Sequence, residues 1–504
     1  MKGKIAIIDL GSNSVRMNII KITKSGGYFV FDSAKEMVRL SEGLHRTGHL
    51  NQAPMDRTIS ALKYFKGLTE VHGVTEIHAL STAAVRMANN KDVFLKRVKD
   101  EVGFNFKILS GYEEAYYDYL GVVNSMDCNH HLMIDIGGGS TEIGLIEDRR
   151  LVESISIPIG SVILTEMFGH IKNRKKRIKE AKAYVKDQIK AIDFIKAKSG
   201  LPIVGLGGTI RAIGKVDKYI NDYPLKDLHN YHLTIDEVRH VTHIIIGAKD
   251  GEVGNIEGIS KKRADVMTMG IMPLIGLMDF VEAKELRISG NGLRNGYFYE
   301  KYFESMNQDV LVKDVLESSY TNIMKRFSVN ESHARHVQKL ALSLFDQLAD
   351  VHHFNKNERK TLEIAALLHD VGLHVEYHDH HIHGLYLLLY VRLFGLSIKD
   401  HLRVAFLVGN HRENGLKNRL DEYNTLFSKG ELRSIKNLSI FLQMAEQLDR
   451  SVKGNIKDIK VDLLDDEVLI KVIADEEPRL EIKAGEQYKA SFYRAYGYDY
   501  KIVF

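Results

Sequence analysis

"HLMIDIGGGSTEIGLI", residues 131–146, runs an apolar strand into one carboxylate, Asp135, follows it with three glycines, and turns apolar again after Ser-Thr-Glu. A single Gly-Gly-Gly of this kind reads most simply as a hairpin with a glycine bulge. This chain writes it twice. "IAIIDLGSNSVRMNII" at 5–20 lies over 131–146 without a gap, matching Asp9 to Asp135, Gly11 to Gly137 and Ser14 to Ser140. Glycines admit positive φ and remove the Cβ atoms that keep a ligand at a distance, so the N–H groups of such a turn can converge on a small anion, phosphate first of all.

Around these hairpins, short β-rich runs ("IAIIDL", "EIHALST", "HLMIDI", "PIVGLGG", "ELRISG") alternate with longer helical patterns up to about residue 300, which predicts α/β layers. From about 310 to 450 the periodicity is helical, with no proline between Pro273 and Pro478. After Gly454, alternating Ile459, Val461, Leu463 and Val468, Ile470, Val472 around an acidic turn predict a β-hairpin. The expected division is 1–124 and 125–305 for two α/β lobes, 306–452 for a helical domain and 453–504 for a small β-containing tail.

With 504 residues the chain is too long for one core, and its 44% hydrophobic and 27% charged residues are those of a soluble globular protein. A net charge of +4 argues for no partner by itself. Cys128, the one cysteine, excludes an internal disulfide framework and a Cys-based zinc site. The opening "MKGKIAII" meets Asp9 after four apolar residues with no cleavage site, and "GLYLLLYVRLFGL" at 384–396 is too short to span a bilayer. A cytoplasmic protein with no membrane or nucleic-acid partner is expected. The basic run "KNRKKRIKEAKAYVK" at 172–186 reads either as a solvated helix face or as a track, led by Lys175, Lys176 and Arg177, that gathers a polyanion.

No P-loop and no G-x-G-x-x-G pattern is present, so the paired hairpins are left as the phosphate grip. Two lobes each opening with Asp-x-Gly resemble the actin, sugar-kinase and Hsp70 class. The ordered motifs "DLGSNS" (9–14), "STAAVRMA" (81–88), "SGYEEAYYDYLGV" (110–122), "DIGGGSTE" (135–142) and "GLGGTIRAI" (205–213) resemble, within that class, the exopolyphosphatase and guanosine pentaphosphate phosphohydrolase family. The resemblance implies two actin-like, ribonuclease H-like lobes. It implies Glu114 as general base for the attacking water, Asp135 and Glu142 organising Mg²⁺, and Arg86 on a phosphate oxygen. It also implies three phosphate-binding loops at Gly11, Ser12 and Asn13, at Gly137, Gly138, Gly139 and Ser140, and at Gly207, Gly208 and Thr209. Read without the family, Glu113 and Glu114 are a solvated pair on a helix. The segment "ISGNGLRNG" (288–296) departs from the family, which in much of its membership carries acids at Gly290 and Asn295; Arg294 is kept.

Twelve of the 23 histidines fall between His333 and His411. "ALLHDVGL", "HARHVQKLA" and "AEQLDRS" resemble the HD phosphohydrolase superfamily, which implies His336, His369, Asp370 and Asp449 as ligands of a metal such as Mn²⁺, with His383 and His411 where binuclear members place further ligands. The reading is an exopolyphosphatase that removes terminal orthophosphate from inorganic polyphosphate with Mg²⁺, and the family implies a homodimer. The alternatives are hydrolysis of guanosine pentaphosphate to the tetraphosphate, and a polyphosphate or alarmone sensor with weak activity.

Overall fold

The structure is a computed structural model that describes residues 3–412, 423, 425–465 and 467–504. The chain forms two compact units, one of 1–22 with 28–315 and one of 23–27 with 316–504. The four segments expected from the sequence are thus grouped in pairs, the two α/β lobes in the first unit and the helical segment with the terminal sheet in the second.

In the first unit, β1 (Gly3–Leu10), β2 (Ser14–Ile22) and β3 (Tyr28–Met37) form an antiparallel meander. β4 (Glu76–Ser81) pairs parallel to β1 and β5 (Phe106–Ile108) parallel to β4, giving the order β3-β2-β1-β4-β5. The second sheet contains β6 (His131–Ile136), β7 (Thr141–Glu147), β8 (Arg150–Ile157), β9 (Ile203–Leu206), β10 (Tyr231–Thr234) and β11 (Glu285–Ile288). Its order is β10-β11-β9-β6-β7-β8; from the other edge, β8-β7-β6-β9-β11 repeats the first topology with β10 added antiparallel at the margin. The duplicated sequence is therefore a duplicated fold.

Strand alternation explains why β1 can be apolar throughout. Ala6, Ile8 and Leu10 enter one core and Ile5 and Ile7 another, because successive side chains leave opposite faces. The second of these cores also takes Met133 and Ile146 of the other sheet, with the helices Gly111–Val123 and Leu293–Glu304 packed between. A glycine lets the start of the second helix approach the first closely: a Cβ on Gly121 would lie 2.7 Å from the Gly292 carbonyl oxygen.

The second unit has helices Val315–Phe327, Glu331–Gln347, Lys356–Leu368, His380–Tyr390, Ile398–Gly409 and Lys429–Gln447, and no strand among its described residues between 315 and 447. The terminal hairpin is present as β12 (Ile456–Leu463) and β13 (Glu467–Ala474), with Ile459 opposite Val472 and Val461 opposite Ile470, and β14 (Asp499–Val503) is added parallel to β13. Gln347 ties this sheet to the helices, donating to the Ile459 carbonyl (3.1 Å) and accepting from the Val461 N–H (2.9 Å). Among the described residues no helix is long and apolar enough to cross a membrane.

Candidate active site

The two hairpin turns close alike, Gly11 N–H donating to Ser14 O (3.1 Å) and Gly137 N–H to Ser140 O (3.0 Å). The turns abut: a Cβ on Gly139 would lie 2.6 Å from Ser12 Oγ and one on Gly138 3.0 Å from Ser12 Cβ. None of Gly137, Gly138 and Gly139 has positive φ. Gly138 and Gly139 serve close approach of one turn to the other, and a Cβ on Gly137 would meet Ser140 O of its own turn at 3.0 Å, which corrects the expectation that the three take left-handed backbone. Gly207 does take it, at φ 87°, where a Cβ would sit 2.5 Å from Asp135 Oδ1.

Gly11, Ser12, Asn13, Gly137, Gly138, Gly139, Ser140, Gly207 and Gly208 line one cleft with Glu114, Asp135 and Glu142. Thr209 is buried in the first turn of the helix Gly207–Ile220, outside the lining. The altered third loop joins the cleft through Gly290, Arg294 and Asn295, with Arg294 3.7 Å from Asp9.

The Glu113–Glu114 pair is resolved by helix geometry. Ser110 and Glu113 form a capping box, Glu113 accepting from Ser110 N–H (2.8 Å) while Ser110 Oγ accepts from Glu113 N–H (3.1 Å), and Glu113 also pairs with Lys107. One residue further round, Glu114 faces inward at 6% exposure. Arg86 donates to the Glu114 carboxylate and to the Leu109 carbonyl (2.7 Å). It is not among the residues that line the cleft; its partners here are Glu114 and the Leu109 carbonyl.

Four residues beyond Glu114, and so on the same helix face, stands Asp118, an acid the sequence reading passed over. It is buried, lines the cleft, and accepts from Leu293 N–H (2.7 Å). Burial and neighbouring acids push these carboxyls up: Glu114 well above its usual value through burial and the Glu142 charge, Asp118 likewise through burial and the Asp135 charge, and Glu142 to about 7 through burial and Asp135. Ser140 (2.6 Å) and Ser156 (2.7 Å) hydroxyls donate to Glu142 Oε1. Asp135 Oδ1 is buried without a hydrogen-bond partner. A crowded all-oxygen set with an orphaned carboxylate oxygen suits a hard divalent cation.

The opposite charge is present in the same cleft. Arg16, Arg211, Arg263 and Arg294 line it and continue into an adjoining channel with Lys35 and Lys215. Burial, then the charge of Arg16, lowers Arg211 to about 9 and Arg263 and Arg294 to about 10; burial and the same arginines lower Lys35 to about 8. Cations crowded and desolvated in this way are stabilised by an anion between them. Of the six, only Arg294 was picked out from sequence. Arg16 occupies in the first hairpin the place of Glu142 in the second, facing Asp9 across the ladder as Glu142 faces Asp135, and Arg211 lies inside "GLGGTIRAI". Arg263, in a short 3-10 turn, left no signal. Lys175, Lys176 and Arg177, in the first turn of the helix Arg174–Lys190, line neither cavity, and Arg177 is paired with Asp250.

In the second unit, His369 and Asp370 meet His333 rather than His336, which lies three residues along the same helix. His333 Nδ1 bonds Asp449 Oδ2 at 2.8 Å. His380, and not His383, joins His411 on the other side of Asp370.

The sequence matches the Ppx/GppA phosphatase family over residues 19–304 and that family's domain III over 315–484. The chain belongs to the Ppx/GppA phosphatase family. It is a hydrolase of phosphoanhydride bonds. A guanosine-5'-triphosphate,3'-diphosphate pyrophosphatase of Pseudoalteromonas atlantica is 29% identical over 443 residues, covering 85% of this chain and 84% of that one. The crystal structure of the Aquifex aeolicus Ppx/GppA family member is 29% identical with a TM-score of 0.52, over 60% of this chain and 98% of that one. An exopolyphosphatase from Cytophaga hutchinsonii, 23% identical, shares the fold with a TM-score of 0.56 over 61% of this chain and 100% of its own.

Proposed function

We propose that this Ppx/GppA phosphatase is an exopolyphosphatase, which with Mg²⁺ hydrolyses the terminal phosphoanhydride of inorganic polyphosphate and releases orthophosphate. The observation that carries the reading is one cleft holding both buried acids and buried arginines, with the arginines leading on into a basic channel. Asp135 and Glu142, with Asp118 beside them, are the residues that would hold Mg²⁺; when bound, the ion neutralises phosphate charge. Gly11–Asn13, Gly137–Ser140 and Gly207–Thr209 remain the loops we assign to the phosphates. Glu114, oriented by Arg86, accepts a proton from the attacking water as the new O–P bond forms and the bridging P–O bond breaks. The charge left on the departing chain is met by Arg16, Arg211, Arg263 and Arg294.

The relative from Pseudoalteromonas favours guanosine pentaphosphate as the second reading. Two features of the channel favour the polymer. Its lining supplies repeated cations, Lys35 and Lys215 beyond the arginines, and among the described residues it includes no aromatic side chain on which a guanine would stack. In this proposal that channel replaces the Lys175–Arg177 track. The helical part of the second unit is read as HD-type on the residues around His369 and Asp370; cytoplasmic location rests on the sequence reading and a homodimer on the family resemblance. Phosphate release from long-chain polyphosphate and from guanosine pentaphosphate at matched Mg²⁺ tests the choice. A higher kcat/KM on the nucleotide would reverse it.

A further inference from the structure

The third loop, 289–295, lines the cleft along its whole length and carries Arg294, yet a residue that holds its first turn lies outside that lining. That residue is His229. In the β10–β11 pair Tyr231 stands opposite Ile288, and the same register continued past the end of β10 sets His229 opposite Gly290. Asn230, at φ 57°, takes the chain out of the strand at that point. The Gly290 N–H donates to the His229 side chain, at Nδ1, over 3.1 Å. The His229 N–H is itself held by Asp227 Oδ1 at 3.2 Å.

The other ring nitrogen fixes the tautomer. His229 Nε2 lies 2.9 Å from the Ser125 carbonyl, which only accepts, so Nε2 carries the proton. The Gly290 N–H only donates, so Nδ1 holds a lone pair. The ring is therefore a neutral imidazole with one nitrogen committed to each partner, and it is buried. Ser125 follows directly on the helix Gly111–Val123, which carries Glu114 and Asp118. His229 thus bridges the end of the helix that bears the base and the start of the loop that bears Arg294.

Further along the loop the same helix holds it again, Leu293 N–H donating to Asp118 Oδ1 at 2.7 Å. The Asn291 N–H is taken within the loop by Ser289 Oγ (3.1 Å). With the N–H groups of Gly290, Asn291 and Leu293 engaged inside the protein, the loop reaches a phosphate chiefly through the Arg294 guanidinium. Where that guanidinium stands is set by where the loop backbone is held.

We infer that His229 is a positioning residue of the cleft: by holding Gly290 through Nδ1 it aims Arg294 at the charge that develops on the departing phosphate chain. In the function proposed above, on which this rests, Arg294 meets that charge directly and His229 touches no substrate. The group that matters is the acceptor at the δ position. The Ser125 carbonyl keeps that lone pair available by holding the proton on the far nitrogen.

The test is a double-mutant cycle in the full chain, run with Mg²⁺ on whichever of polyphosphate and guanosine pentaphosphate the wild type hydrolyses faster. His229→Ala should lower kcat roughly 10- to 10²-fold, the scale of an ångström-sized misplacement, and leave KM nearly unchanged because the channel cations are untouched. In an Arg294→Gln background the same change should cost nothing further, since the group it aims is gone. His229→Asn puts an amide oxygen where Nδ1 stood and should recover most of kcat, although it loses the bond to Ser125 as fully as alanine does. His229→Gln, whose amide lies at the position of Nε2 and not of Nδ1, should not recover it. If circular dichroism shows that His229→Ala does not fold, the asparagine and glutamine variants carry the test. Equal losses in His229→Asn and His229→Gln, or a loss in the Arg294→Gln background as large as that in the wild type, overturns this assignment of His229 alone. Wild-type kcat in Arg294→Gln overturns the proposed chemistry of the cleft, and the role of His229 with it.

Discussion

The arginine cluster makes a prediction that runs against the usual effect of deleting a buried side chain. Arg211 remains charged at neutral pH, yet burial and the charges of Arg16 and Arg294 lower its pKa well below that of a free guanidinium, to about 9. At about 1.4 kcal/mol per pH unit, that gap corresponds to ~5 kcal/mol of unfavourable charge. The sign is that of a cation whose folded pKa is depressed. The cost is present at every pH below about 9 and fades only as pH rises from there toward the unfolded value, so no neutral buffer relieves it. Arg211→Met keeps much of the volume and removes the charge. Relaxation of the surroundings and water entry already soften part of that cost in the wild type, so roughly half the figure, 2 to 3 kcal/mol, is the expected stabilisation. For a unit of this size that raises Tm by roughly 5 °C. Differential scanning calorimetry with and without tripolyphosphate, in Mg²⁺-free buffer, reads both halves of the argument. The variant should melt higher than the wild type without the anion, and the anion should stabilise the wild type more. A variant that melts several degrees lower and keeps the full anion response would refute the view that these cations are held apart for a ligand.

The other expectations concern the base and the channel. Glu114→Gln should lower phosphate release ~10² to 10⁴-fold while polyphosphate still binds, and near wild-type turnover in this variant with a loss in Glu113→Gln would reverse the assignment. Because Glu114 must be ionised to act and its pKa is raised by burial and the Glu142 charge, the acid limb of kcat/KM should lie above the ordinary carboxylate range. Arg86→Gln removes a charge that lowers that pKa, so the limb should move to higher pH; an unmoved profile would separate Arg86 from Glu114. Lys35→Gln with Lys215→Gln should raise KM for long polyphosphate far more than for tripolyphosphate and flatten its salt dependence, whereas neutralising Lys175, Lys176 and Arg177 should do neither.

The hairpins were legible because their signal is local: a strand, an acid and a glycine turn within sixteen residues, repeated. The same locality explains the recovery of β1, β4, β6, β9 and β11 and of the terminal hairpin. Asp118 was hidden in a motif already quoted, since a second acid one turn on reads as surface until the helix is known to pack between two sheets. The arginines come from β2, two helices and a 3-10 turn, and no window of sequence contains them together. His333 and His336 could not be told apart, because residues three apart on a helix differ by only about 60° around its axis. The basic run at 172–186 reads in sequence as either a solvated face or a track; in the structure Arg174 and Arg177 share Asp250, and Lys176 lies 3.7 Å from Glu180.

The ladder position held by Glu142 in one hairpin and Arg16 in the other has a consequence for how a chain molecule is read. Two identical hairpins would present a polyphosphate with the same face from either side, and nothing would tell its end from its middle. With an acid in one copy and a base in the other, the cleft acquires a head and a tail. In the proposed function, the end of the polymer would lie against the acids with its next links among the arginines, and the two directions along the cleft are told apart at the place where the repeat stops being a repeat.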